Sequence, residues 1–197
     1  MIEGDSRAML PGVERHERGL DTLRRIGGPE GMVSLTALND IAPDLVRFAI
    51  DFAYGEVLAR PGLDLRTRQL CTVAALSALG HAVPQLTWHI DAALHVGARP
   101  SEVDDVKRIA ASYACDVSAP DPVPPSLDDI TRELATVALL TALGTNPSAL
   151  RKHLRASLDA GASRQQVIAV IEQMAVYAGF PAALNGIAAA RDIFEGR

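Results

Sequence analysis

One relation inside the chain limits its fold more than any local pattern. Residues 67–114 realign on residues 131–178 without a gap, at an offset of 64 positions. Arg68 falls on Arg132, Gly80 on Gly144, His89 on His153, Gly97 on Gly161 and Tyr113 on Tyr177. The matches mix apolar, polar and glycine positions, so they mark a duplicated structural unit rather than shared composition. Between the copies lies SAPDPVPPS, residues 118–126. Its four prolines fix φ and remove backbone donors, which predicts an extended linker.

Each copy reads as three helices. In the first copy they span about 64–79, 84–96 and 101–114; in the second, 128–143, 147–160 and 163–178. The first helix of each is apolar almost all round, as expected of a helix buried between others. Gly80, Gly97 and Gly144 stand where helices should stop, and Pro147 stands where one can start. Two further helices are expected upstream, at 13–26 and 43–58, and one downstream at 181–194. No segment shows the period-two alternation of a half-buried strand. The expected fold is all-α, a bundle of about nine helices. It divides into a flexible N-terminus at 1–12, a first repeat at 13–117, the linker at 118–126, and a half repeat at 127–197 packed on the first.

Composition narrows the function classes. Hydrophobic residues make up 48% and charged residues 22%, enough apolar surface for a sizeable core. A net charge of -5 and a pI near 5.5 leave no basic footprint for nucleic acid. The two cysteines, Cys71 and Cys115, form neither a disulfide framework nor a CxxC pair. The opening MIEGDSRAMLPG lacks the apolar region of a secretory signal, and no apolar run is long and uncharged enough to span a bilayer. A cytoplasmic protein without membrane or nucleic-acid partners is expected.

Among five histidines, His16, His81 and His95 sit on polar or helix-terminal positions. His89 and His153 differ. Each lies beside the apolar stripe of the second helix of its copy, three residues after Leu86 and Leu150. Position alone leaves two readings, a hydrogen-bonded core histidine or a proton handler. Glu56 lies late in an apolar helix, so its carboxylate either faces out or pairs with Arg60, Arg66 or Arg68. Glu133 opens the second repeat beside Arg132. There is no GxSxG, P-loop, GxGxxG or HExxH motif, and no ligand spacing for a metal cage.

The stretch YGEVLARPGLDLRTRQL from Tyr54, the segments AALSALG and AALHVG around His89, and the ending VYAGFPAALN at Asn185 resemble the carboxymuconolactone decarboxylase family. The resemblance covers about residues 14–195. The first copy has the family's leading helices and lacks the GFPAALN ending; the second has the ending and lacks the leading helices. The wider alkylhydroperoxidase D-like group places a CxxC pair just before its histidine. Here those positions are Ala82 and Gln85, or Asn146 and Ala149, so thiol chemistry is not available.

The resemblance implies decarboxylation of a small lactone acid such as 4-carboxymuconolactone. The electrons left on carbon run through the ring to the lactone carbonyl, so the substrate is its own electron sink and no metal or organic cofactor is implied. The protein must bind a dianion, stabilise an oxyanion and deliver a proton. On that basis Arg66 or Arg68 would bind carboxylate, with Trp88 as a pocket wall. His89 would stabilise the oxyanion or protonate carbon, oriented by Glu56. His153, Glu133 and Tyr177 are the second-site candidates. The resemblance also implies a homo-oligomer, a trimer or hexamer. Two other readings remain open: another cofactor-free isomerisation or cyclisation of a small molecule, and a non-enzymatic binding or assembly protein.

Overall fold

The computed structural model describes residues 12–114 and 126–196, and among the described residues there is no strand. The elements are α1 (Gly12–Thr36), α2 (Pro43–Phe48), a π-helical continuation of α2 (Ala49–Leu58), α3 (Leu65–Leu79), α4 (Val83–His95), α5 (Pro100–Ala114), α6 (Asp129–Leu143), α7 (Pro147–Asp159) and α8 (Arg164–Phe194). The expected all-α class holds. All of the expected flexible terminus but Gly12, which opens α1, and all of the expected linker but Ser126 lie outside the described residues.

Two compact units follow one another along the chain, Met1–Arg60 and Pro61–Arg197. In the first, α1 crosses the π-helical stretch at close range. A Cβ on Gly19 would strike the carbonyl of Ile50, and one on Gly55 would strike that of Arg15, so glycine is what lets the backbones approach. Polar bonds fix the crossing: His16 Nδ1 to Asp51 at 2.6 Å, and Arg18 Nε to the Gly55 carbonyl at 2.7 Å. The helix expected at 13–26 stops at Gly28, whose backbone (φ 62°, ψ -165°) is not helical and precedes Pro29; a second helical stretch follows to Thr36.

The second unit contains both copies. Each first helix starts in the same way. Asp64 and Asp128 accept from the backbone N–H and the hydroxyl of Thr67 and Thr131, which satisfies donors a helix start leaves open. Each ends at a glycine in the left-handed region, Gly80 (φ 74°) and Gly144 (φ 65°). α3 and α6 pack against each other at the centre, and α4 and α5 attach to α3 as α7 and α8 attach to α6. The core draws on both copies, with Leu70, Val73, Leu134, Leu139, Leu154 and Ile171 fully buried. Each such large side chain contributes about 1.5–3 kcal/mol relative to exposure.

The helices expected at 163–178 and 181–194 are both present: the stretch labelled α8 is interrupted at Gly179, whose backbone (φ 82°, ψ 165°) is not helical, ahead of Pro181. Taken end to end, Arg164–Phe194 is long and apolar enough to cross a membrane, by length and composition only. Its first half nevertheless supplies Val167, Val170, Ile171 and Met174 to the core.

Candidate active site

The duplication builds two clusters of the same residues on the same elements. In the second copy, α6 carries Arg132 and Glu133 in its first turns, and α7 carries His153. The imidazole Nδ1 lies 2.7 Å from Glu133 Oε2. The other ring nitrogen, Nε2, lies 2.7 Å from the hydroxyl of Tyr113. Tyr113 belongs to the first copy, near the end of α5, so each histidine is met by a tyrosine that the sequence assigns to the other repeat. The carboxylate can only accept, so Nδ1 carries the proton, and in the neutral ring Nε2 accepts from Tyr113. Burial, and then the charge of Glu133, push the Tyr113 hydroxyl up from its ordinary value and keep it a donor. Arg132 Nε lies 3.6 Å from Glu133 Oε1 and its guanidinium also reaches Asp129 at 2.8 Å. The side chain of His153 keeps 15% of its surface exposed, so the cluster is sheltered but not fully enclosed.

The first copy repeats this plan with a different group against the imidazole. His89 Nδ1 lies 2.7 Å from Gln69 Oε1, and position 69 is the equivalent of Glu133. Trp88 and Tyr177 stand edge-on to the ring, at centroid distances of 4.7 and 5.5 Å. Thr72 hydrogen-bonds the Tyr177 hydroxyl, and burial pushes that hydroxyl up to about 12. His89 is 6% exposed, and burial pushes it down to about 3, so it is a neutral imidazole. Arg68, the equivalent of Arg132, is 1% exposed and donates to Gln173 Oε1 at 3.0 Å. Gln173 in turn donates to the Arg68 carbonyl and to Thr72, both at 2.9 Å. The equivalent of Gln173 in the first copy is Ile109, so Arg132 has no such buried amide to hold it.

These geometries revise the roles implied by the resemblance. The group that orients His89 is Gln69; Glu56 lies in the first unit, where it is bound by Arg60 and lies 3.6 Å from Arg18. Arg66 is committed to Glu102, which also binds Arg99 and the Arg99 backbone N–H. Burial opposes the charge of Glu102, but hydrogen bonds from the two arginines bring it down to about 2. Arg66 therefore ties α3 to the start of α5 rather than facing a ligand. Arg68 is enclosed. Tyr177 belongs with His89, and His153 takes Tyr113 instead. Trp88 lies edge-on against His89. Gln69, Tyr113, Arg132 and Gln173 had not been singled out as site residues. The signal for three of them was in the repeat itself: TRQ over TRE, and Tyr113 over Tyr177. Among the described residues no group of three histidine, cysteine or acidic side chains is arranged to hold a metal.

Comparison with known proteins agrees with this duplicated arrangement. The family model described as "Carboxymuconolactone decarboxylase family" matches twice, over residues 43–121 and 116–192. A curated protein named 4-carboxymuconolactone decarboxylase, from Acinetobacter baylyi, is 35% identical over 102 residues, which span 51% of this chain and 75% of that protein. With two successive matches that together take in most of its length, the chain belongs to the carboxymuconolactone decarboxylase family.

Proposed function

We propose that the protein is a decarboxylase of a small lactone carboxylic acid resembling 4-carboxymuconolactone, acting through Glu133, His153 and Tyr113 without a cofactor. The observation that carries this reading is His153 held at 2.7 Å on both ring nitrogens, by a carboxylate and by a phenol. In the reaction the bond to the departing carboxylate breaks and CO2 leaves. The electron pair moves through the ring double bond to the lactone carbonyl oxygen. The dienolate then takes a proton at carbon. His153 delivers that proton from Nε2, with Glu133 holding Nδ1, once the substrate takes the place of the Tyr113 hydroxyl there, and regains one from solvent. Tyr113 holds the ring in that orientation until then. Arg132 anchors a substrate carboxylate, the part that the resemblance assigned to Arg66 or Arg68. The curated relative's name supports the substrate class, and the half-buried cluster supports proton transfer.

The test is incubation of the purified protein with 4-carboxymuconolactone, with CO2 and the lactone product followed by mass spectrometry. Turnover above the spontaneous rate that His153→Ala abolishes is the expected result. A folded protein that leaves the substrate at its spontaneous rate overturns the reading.

A further inference from the structure

We infer that the residue at the paired positions 69 and 133 decides which copy handles protons: Glu133 makes the second cluster an acid–base pair, and Gln69 keeps the first out of the reaction. The inference deepens the proposed function and rests on it for the identity of the working cluster. The first copy retains the arginine, the histidine and the tyrosine of the second. It differs in the one group that can carry a negative charge against the imidazole. An amide oxygen accepts the Nδ1 proton as well as a carboxylate does, so the ring keeps its place. It offers no charge, so a second proton on the ring would have to be buried uncompensated.

Gln69 itself bears the mark of the exchange. It is fully buried, and its Nε2 has no hydrogen-bond partner. A buried donor left unsatisfied is destabilising. The corresponding atom in the second copy is a carboxylate oxygen, Oε1 of Glu133, 3.6 Å from the guanidinium of the preceding arginine. Position 69 is likewise preceded by an arginine, Arg68, so it retains the neighbour a carboxylate would use. The groups facing His89 are Gln69 from α3, Tyr177 from α8 and Trp88 from its own helix. The charged group of that network is Arg68, on which Cys71, Tyr177, Glu172 and Asp64 act.

The experiment uses the full chain labelled with 15N-histidine, and imidazole correlation spectra from about pH 5 to about pH 8. His89→Gln assigns the His89 signals. In the unsubstituted protein His89 stays neutral with its proton on Nδ1 across the range. In Gln69→Glu the same signals move to the imidazolium position within it. A His89 that titrates there without substitution, or stays neutral in a folded Gln69→Glu protein, overturns the inference. Should Gln69→Glu not fold, the converse change decides. Glu133→Gln lowers turnover by a hundredfold or more with KM within about threefold, whereas Gln69→Ala leaves turnover within about threefold. A Glu133→Gln enzyme that keeps its turnover overturns the inference. If no variant and no parent turns over 4-carboxymuconolactone, the proposed function falls while the spectra still decide position 69.

Discussion

The His153 and His89 clusters are the same construction in two chemical states. Both present Nδ1 to a side-chain oxygen at 2.7 Å, both follow a capped, glycine-terminated helix, and both meet a tyrosine from the other copy. In one the imidazole meets a carboxylate and is partly exposed; in the other it meets an amide and is buried. Among the exchanges between them are Glu133 against Gln69, Ile109 against Gln173 and Lys152 against Trp88. The first removes the charge that could stabilise an imidazolium. The second encloses the arginine. Shared geometry thus does not give shared chemistry; the local charge and the access of solvent do.

The comparison breaks most directly at Glu133. Glu133→Gln makes the second cluster a copy of the first, and turnover of 4-carboxymuconolactone should fall by roughly 10²–10⁴-fold, the span ordinarily supplied by a positioned acid–base group. His89→Gln should change turnover by no more than about threefold. Steady-state rates of the two variants decide it, and equal losses would erase the distinction between the copies.

Stability tests the other exchange. Gln173→Ile gives the second copy the residue the first carries at Ile109, and strips Arg68 of a buried acceptor. Loss of a hydrogen bond to a charged buried group costs about 1.5–3 kcal/mol. The matching change Ile109→Ala, at a partly buried site packed on the core, should cost less, about 1 kcal/mol. Denaturant unfolding of the two variants measures both, and a cheaper Gln173→Ile would show Arg68 to be satisfied without it.

Acid titration sharpens the contrast further. His89 is pushed down to about 3 in the folded protein, below its ordinary 6.5, so it takes up its proton only on unfolding. The stability it permits is complete above about pH 6.5 and is lost as the pH falls toward 3, with a slope of up to about 1.4 kcal/mol per pH unit. Glu102 acts lower. Its carboxyl is brought from 4.5 to about 2, so its contribution is present above 4.5 and lost as the pH falls toward 2. Between pH 6.5 and 4.5 the slope should therefore flatten in His89→Gln, and persist in variants of Glu102 that fold. The tyrosines test the same contrast through single contacts. Tyr113→Phe removes one hydrogen bond to His153 and should lower turnover by about tenfold with KM little changed, while Tyr177→Phe leaves it nearly intact.

Much of the architecture was legible because its signals are local. The aspartate caps lie three residues from the N–H groups they bind, and the stop glycines sit one residue past the turns they end. Such features depend on neighbours in the chain, so the helix limits of α3, α4, α6 and α7 fell within one or two residues of expectation. The break at Gly179 was legible as well: glycine followed two residues later by proline reads as a stop, and the backbone at Gly179 is not helical. The π-helical turn after Phe48 left no separate trace in the sequence, since its apolar pattern also suits an α-helix.

The site was legible by type and not by partnership. His89 and His153 stood out because each interrupts an apolar stripe. Which oxygen each would meet could not be read, because those bonds span 20 residues to one partner and 40 to the other. Glu56 stood out as a carboxylate in an apolar helix, yet Arg60 on its own helix already neutralises it. By itself the sequence determined the duplication, the helices and the presence of two equivalent histidines, all consequences of periodicity and short-range capping. Only the tertiary structure decided that the tyrosines are exchanged between copies, that Arg66 and Arg68 are consumed by Glu102 and Gln173, and that one histidine is sealed from water while the other is not. Those outcomes depend on burial and on distances through space, which packing of α3 on α6 sets and no stretch of chain contains.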